Sequence, residues 1–133
     1  MSEPLQRLAE QLRGERTPIS DHVVEQSASS EARVSPPEMQ DGLAYVVEAV
    51  REGYLLHYDE PRLLTGHDDD LALLTGDYLY ALGIERLAKS GDTRAVGVLA
   101  ELIGACAQLH AEGREDEAPG RWRDAVRAID PAA

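Results

Sequence analysis

The stretch Asp70–Ala111, DLALLTGDYLYALGIERLAKSGDTRAVGVLAELIGACAQLHA, decides the fold. Its first half, to Lys89, places Leu71, Ala72, Leu73, Leu74, Tyr78, Leu79, Tyr80, Ala81, Leu82, Ile84, Leu87 and Ala88 all the way round a helix. Ser90-Gly91 is a terminator, and Lys89 stands in the last turn, where a cation suits the helix dipole. Asp92 then caps a second helix, Thr93 to Ala111. The polar stripe of that helix is narrow: Arg94, Glu101 and Gln108, seven residues apart. Gly97, Ala100, Gly104 and Ala107 form a line of small residues along which another helix could approach closely.

Just before this stretch, Asp68 or Asp69 can cap the helix that opens near Asp70. Upstream, Ser35-Pro36-Pro37-Glu38 reads as a helix start, with Ser35 as cap, Pro36 in the first turn and Glu38 three residues after the cap. Met39, Leu43, Val46, Val47, Val50, Tyr54 and His57 follow at spacings of three and four, with Glu48, Arg51 and Glu52 on the opposite side. This predicts an amphipathic helix of about 20 residues, ended by Asp59-Glu60-Pro61. Leu5, Leu8 and Leu12 predict a short helix over Glu3 to Arg13, stopped by Gly14. Residues Glu15 to Ser35 read as a weak helix around Ile19, Val23 and Val24 and then a mobile linker. Arg121 to Ile129, with Trp122, Ala125, Val126 and Ile129 inward, closes the chain after a charged loop. The expectation is an all-α protein, a helical bundle of about five to six helices, with residues 1–35 as N-terminal helix and linker and 36–133 as the helical domain.

Composition narrows the function. A formal charge of −12 on 133 residues repels phosphate backbones and anionic lipid, which argues against nucleic-acid binding and surface docking on membranes. No run approaches the ~18 apolar residues of a membrane span. The opening MSEPLQRLAEQLRGER lacks a basic region followed by an apolar run, so a secretory leader is not expected and a cytoplasmic setting is the default. Cys106 is the only cysteine, so no intrachain disulfide forms. With no cation near it in sequence, it reads as a small core residue. The four histidines show no HxxxH or HxH spacing, and no Walker-type loop, GxSxG or GxGxxG occurs. Asp68, Asp69, Asp70 and Asp77 form an acidic cluster that could hold magnesium on a diphosphate; helix capping is the commoner use of such residues.

Two consecutive helices apolar all round need cover on every side, and a single small bundle can bury one such element centrally but hardly two. The sequence therefore predicts an obligate dimer or heteromer with Leu74, Tyr78, Leu82, Gly97, Ala100, Gly104 and Ala107 in the interface. The alternative is that the N-terminal segment folds back over both helices.

The run Leu71-Ala72-Leu73-Leu74-Thr75-Gly76-Asp77-Tyr78-Leu79-Tyr80-Ala81, followed by Leu87-Ala88 and Gly91-Asp92, resembles a segment of trans-polyprenyl diphosphate synthases, in which Gly76 and Asp77 match the family's Gly-Asp motif. The likeness covers roughly Gly66 to Glu117 and implies a truncated isoprenoid-synthase fold. Asp68-Asp69-Asp70 is followed by Leu71, Ala72 and Leu73, so the family's DDxxD motif is not completed, and the basic residues that grip diphosphate are not apparent. In this the chain resembles the small, non-catalytic subunit of heterodimeric, heptaprenyl-type synthases. The resemblance implies no catalytic residues and no metal or cofactor of its own, with Mg in the catalytic partner subunit. It also implies a role in the partner's activity and product chain length, in isoprenoid and menaquinone biosynthesis. Two other readings stand beside it: a homo-oligomeric helical interaction or regulatory module, with itself as partner, and a small Mg-dependent enzyme using Asp69, Asp70 and Asp77.

Overall fold

A computed structural model describes residues 3–130, and the described chain is all-helical. Five α-helices follow one another: α1 (Glu3–Gly14), α2 (Asp41–Tyr58), α3 (Asp69–Ser90), α4 (Thr93–Ala111) and α5 (Ala118–Ile129). Single 3-10 turns stand at Ser20–His22 and Glu115–Glu117. Two compact units part within α3, one running through Gly83 and the other beginning at Ile84.

In the first unit, α1 forms because Leu5, Leu8, Ala9 and Leu12 make one apolar stripe, and all four are fully buried. They pack with Tyr45, Ala49 and Leu56 of α2, Leu63 and Leu64 of the following loop, and Ala72 and Leu79 of α3. Ile19, Val23, Tyr78 and Leu82 lie against this cluster. The expected helix around Ile19 to Val24 is only a three-residue 3-10 turn. Beyond it the backbone prefers an isolated antiparallel bridge, with Val24 N–H donating to the Leu63 carbonyl (2.8 Å) and Thr65 N–H to that of His22 (2.9 Å).

The start of α2 departs from the sequence reading. Gln40, not Ser35, is its cap, and the Gln40 side chain accepts from Leu43 N–H at 2.9 Å. Ser35 is buried and gives its N–H (2.7 Å) and hydroxyl (2.6 Å) to Glu48 Oε2, so a tertiary acceptor outcompetes the local cap. Glu48 and Glu52 are likewise not on a solvent side: both are fully buried.

α2 and α3 run antiparallel and cross at glycines. A Cβ on Gly53 would lie 2.9 Å from the Gly76 carbonyl oxygen, and one on Gly76 would lie 3.0 Å from that of Gly53. Farther along, a Cβ on Gly83 would meet Val50 Cγ2 at 2.7 Å. Only glycine lets the backbones come this close.

α3 is not apolar all round in the sense that matters. Its buried positions Ala72, Thr75, Gly76, Leu79, Gly83 and Leu87 make one face, and the exposed side carries Asp69, Asp70, Asp77, Glu85, Arg86 and Lys89 with two small alanines, Ala81 and Ala88. Leu73 and Leu74 are the large exceptions. Part of its cover comes from α1, whose leucines share a cluster with Ala72 and Leu79.

In the second unit, α3 ends at Gly91, whose φ of +83° is a left-handed stop that glycine adopts without strain. Asp92 then caps α4 by accepting from Ala95 N–H at 3.1 Å. Ala95, Leu99, Leu102, Cys106 and Leu109 form the buried face of α4. They pack with α5, whose buried residues are Ala118, Trp122, Ala125 and Ile129. Arg94 Nη1 donates to the Ala128 carbonyl, which fixes the two helices antiparallel. α5 begins earlier than its apolar stripe implies, because Pro119 suits a first turn.

Candidate functional site: the C-terminus of α2 and the start of α3

Two polar constellations meet along α2, and they differ in kind. The first is a buried ion triad. Arg62, in the loop after α2, is fully enclosed between Glu48 and Glu52, which stand one turn apart. Its Nη1 donates to Glu48 Oε1 at 2.7 Å, its Nε to Glu52 Oε1 at 2.9 Å, and its Nη2 to the Glu48 carbonyl at 3.1 Å. The outer carboxylate oxygens are used as well. Glu48 Oε2 takes Val34 N–H, Ser35 N–H and the Ser35 hydroxyl; Glu52 Oε2 takes Arg62 N–H and Leu63 N–H, both at 2.8 Å. Burial alone would lower the Arg62 pKa, but the charges and hydrogen bonds of Glu52 and Glu48 outweigh it and hold the guanidinium above its ordinary value. Both carboxylates are saturated by donors from the chain itself, so the triad clamps the segments around Ser35 and Leu63 to α2 rather than presenting a group to a substrate.

The sequence reading missed this triad by placing Glu48 and Glu52 outside. A signal was present: two like charges at i,i+4 destabilise an exposed helix, they sit among Ala44, Tyr45, Val46, Val47, Ala49 and Val50, and a lone arginine follows Pro61.

The second constellation lies at the surface. His57, in the last turn of α2, reaches across to α3, with Nε2 3.1 Å from the Leu73 carbonyl and 3.3 Å from Asp77 Oδ1. Its ring covers Gly76, where a Cβ would lie 2.2 Å from His57 Cδ2, and meets Tyr80 and Tyr58 edge-on at 5.1 and 5.8 Å. Tyr54 packs on Tyr58 at 5.1 Å, and the Arg51 guanidinium sits 5.0 Å from the Tyr54 ring while pairing with Glu31. Beside the histidine, Leu73 is 53% exposed, Leu74 67% and Tyr58 37%. An imidazole whose Nε2 is held by a carbonyl and a carboxylate, packed over a glycine, joins two helices.

The residues expected to form an interface divide between the two units. Leu74 is open. Tyr78 and Leu82 are half-buried against the first unit's own core, and the Tyr78 hydroxyl donates to Glu15. In the second unit Gly97, Ala100, Gly104 and Ala107 are all exposed, and a Cβ on Gly97 or Gly104 would meet nothing within 4 Å. Of the two family-motif residues, Gly76 lies in the helix crossing and Asp77 on the exposed side of α3.

The acidic cluster is spread out. Asp68 caps α3 by accepting from Leu71 N–H at 2.8 Å, Asp69 and Asp70 are exposed, and Asp77, exposed as well, approaches His57. Among the described residues no three His, Cys, Asp or Glu side chains gather as they would around a metal ion. A groove of about 210 Å³ between α4 and α5 is floored by Val98, Leu102 and Ala125 and rimmed by Glu101, Arg121 and Asp124, smaller than the ~300–1,000 Å³ of most ligand pockets. No described helix is long and apolar enough to cross a membrane. No protein-family model, curated protein or solved structure matches the chain.

Proposed function

We propose that the chain is a non-catalytic subunit that works by binding another protein, and that this partner is a polyprenyl diphosphate synthase carrying the aspartate-rich motifs absent here. One observation carries the binding reading: Leu73 and Leu74 stand side by side in water on the stretch that holds the family-like Gly76-Asp77. Burying two such side chains on association contributes roughly 1.5–3 kcal/mol each, whereas leaving them wet gains the monomer nothing. The identity of the partner is supported by the sequence resemblance alone. On this reading the chain is cytoplasmic and takes no metal itself. Magnesium and both diphosphate substrates belong to the partner, whose activity and product length the chain supports.

The test is co-expression with a DDxxD-bearing synthase, followed by size exclusion and a prenyl-elongation assay on each chain alone and together. Co-elution with a gain in turnover or a change in product length is expected. A synthase equally active and equally specific without this chain would end the proposal.

A second reading, a homo-oligomeric helical module, is favoured by the open line Gly97, Ala100, Gly104 and Ala107 along α4. A stable homodimer that ignores the synthase would favour it.

A further inference from the structure

The exposed leucines are framed by charge of one sign. On a helix, residues four apart share a face, so Leu73 lies between Asp69 and Asp77, and Leu74 one turn after Asp70. Next to Tyr58, at the end of α2, Asp59 and Glu60 are exposed as well. From Tyr58 to Ile84 the sequence holds six carboxylates (Asp59, Glu60, Asp68, Asp69, Asp70, Asp77) and one arginine or lysine, Arg62. Arg62 is fully buried between Glu48 and Glu52, so it offers no charge to a visitor. The two exposed leucines of α3 thus sit among carboxylates.

Whatever covers them must be apolar at the centre and cationic at its edge. Nucleic acid and anionic lipid have the wrong sign. A second copy would bring the same six carboxylates against themselves in a chain already at −12. A helix with leucine-like anchors at i and i+3 or i+4 and lysine or arginine on either side meets both demands. We infer that the start of α3, through Leu73 and Leu74, docks a basic amphipathic helix of another protein. The inference rests on the reading of the chain as a protein-binding subunit, but not on the partner's being a prenyl synthase.

Fluorescence anisotropy on the full chain tests it, with a labelled helical peptide of about 18 residues built of leucine on one face and lysine on the other. Its scrambled isomer, and a version with glutamate for lysine, serve as controls. Binding of the ordered basic peptide is expected, with affinity falling about tenfold or more from roughly 50 to 300 mM salt. L73S/L74S should lose at least about tenfold in affinity, which for two exposed anchors corresponds to about 1.4 kcal/mol or more. D69N/D70N should weaken binding and flatten its salt dependence. Both double variants alter exposed positions, and far-UV circular dichroism will show them folded.

Equal binding of ordered and scrambled peptides, or binding that survives L73S/L74S, overturns the proposal. So does sedimentation showing that the leucines instead hold two copies together. A peptide that binds as expected while the synthase does not would reject only the prenyl partner. A synthase complex untouched by L73S/L74S would reject only this docking surface.

Discussion

Replacing Arg62 with methionine is the sharpest test of what holds the first unit together. Met fills most of the volume of the arginine stem, so the loss falls on the charge and its donors. Four side-chain hydrogen bonds disappear, to Glu48 Oε1 (2.7 Å), Glu52 Oε1 (2.9 Å), the Glu48 carbonyl (3.1 Å) and the Ala32 carbonyl (3.5 Å). Two fully buried carboxylates then face each other without a cation. Removing one partner of a buried ion cluster costs about 3–5 kcal/mol, because the charge left behind stays desolvated. Against a typical total of about 5–15 kcal/mol this takes away a large share of the stability. With a urea m-value of about 1–3 kcal/mol/M, the midpoint should fall by roughly 2 M.

The aromatic residues give a clean readout, since all five tyrosines lie before Ile84 and Trp122 lies after it. Tyrosine near-UV dichroism therefore follows the first unit and tryptophan fluorescence the second. Glu48→Gln should be milder, about 2 kcal/mol, because the amide oxygen can still serve either Ser35 or Arg62 but not both. An R62M protein whose tyrosine-reported midpoint moves by less than the equivalent of about 1 kcal/mol would show that water reaches the triad and that the charges are not clamped in a dry core.

The glycines should divide by what surrounds them. Gly76→Ala drives a methyl into His57 and the Gly53 carbonyl and should cost about 1–3 kcal/mol, whereas Gly104→Ala, in open space, should gain about 0.5–1 kcal/mol; thermal melts of the pair check the contrast. Asp92→Ala removes the acceptor for Ala95 N–H and should cost about 1 kcal/mol, read from the tryptophan transition. The carboxyls of Glu117 and Glu85 lie below their ordinary range, held there first by hydrogen bonds from Arg114 and Lys89. A lowered folded pKa means stabilisation that is present above the unfolded value of about 4.5 and fades as pH falls through the folded one. Glu117→Gln should therefore flatten the acid limb of the unfolding curve and leave the neutral region unchanged, as urea titrations at stepped pH would reveal.

The helices were legible wherever one periodic stripe met a local stop. α4 could be placed to the residue because Asp92 and the Gly113 region bracket it, and α1 because its leucines recur at three and four. What failed to show was the long-range competition for Ser35. Ser35-Pro36-Pro37-Glu38 is a sound local start, and nothing within those residues announces that Glu48, thirteen positions on, will take the serine's hydroxyl and amide. Glu48 and Glu52 were misplaced for the same reason, since their cation comes from a loop outside the helix. The greasy look of α4 was overread because alanine and glycine counted as apolar, as the exposed Gly97, Ala100, Gly104 and Ala107 show; among the described residues the large exposed apolar side chains are Tyr58, Leu73 and Leu74. The surface cluster was half visible, in that Asp77 stood out as part of a motif while His57, placed in the stripe of α2, links two helices.

The glycine crossing also bears on ancestry. Gly53, Gly76 and Gly83 admit no larger residue without parting the helices, and Glu48, Glu52 and Arg62 admit no change of sign without stranding a charge. Six positions separated by fixed intervals make a key far more selective than overall identity. A cousin that kept both the crossing and the triad would show those six letters at these intervals, so a scan for them is a direct way to look for the chain's kin.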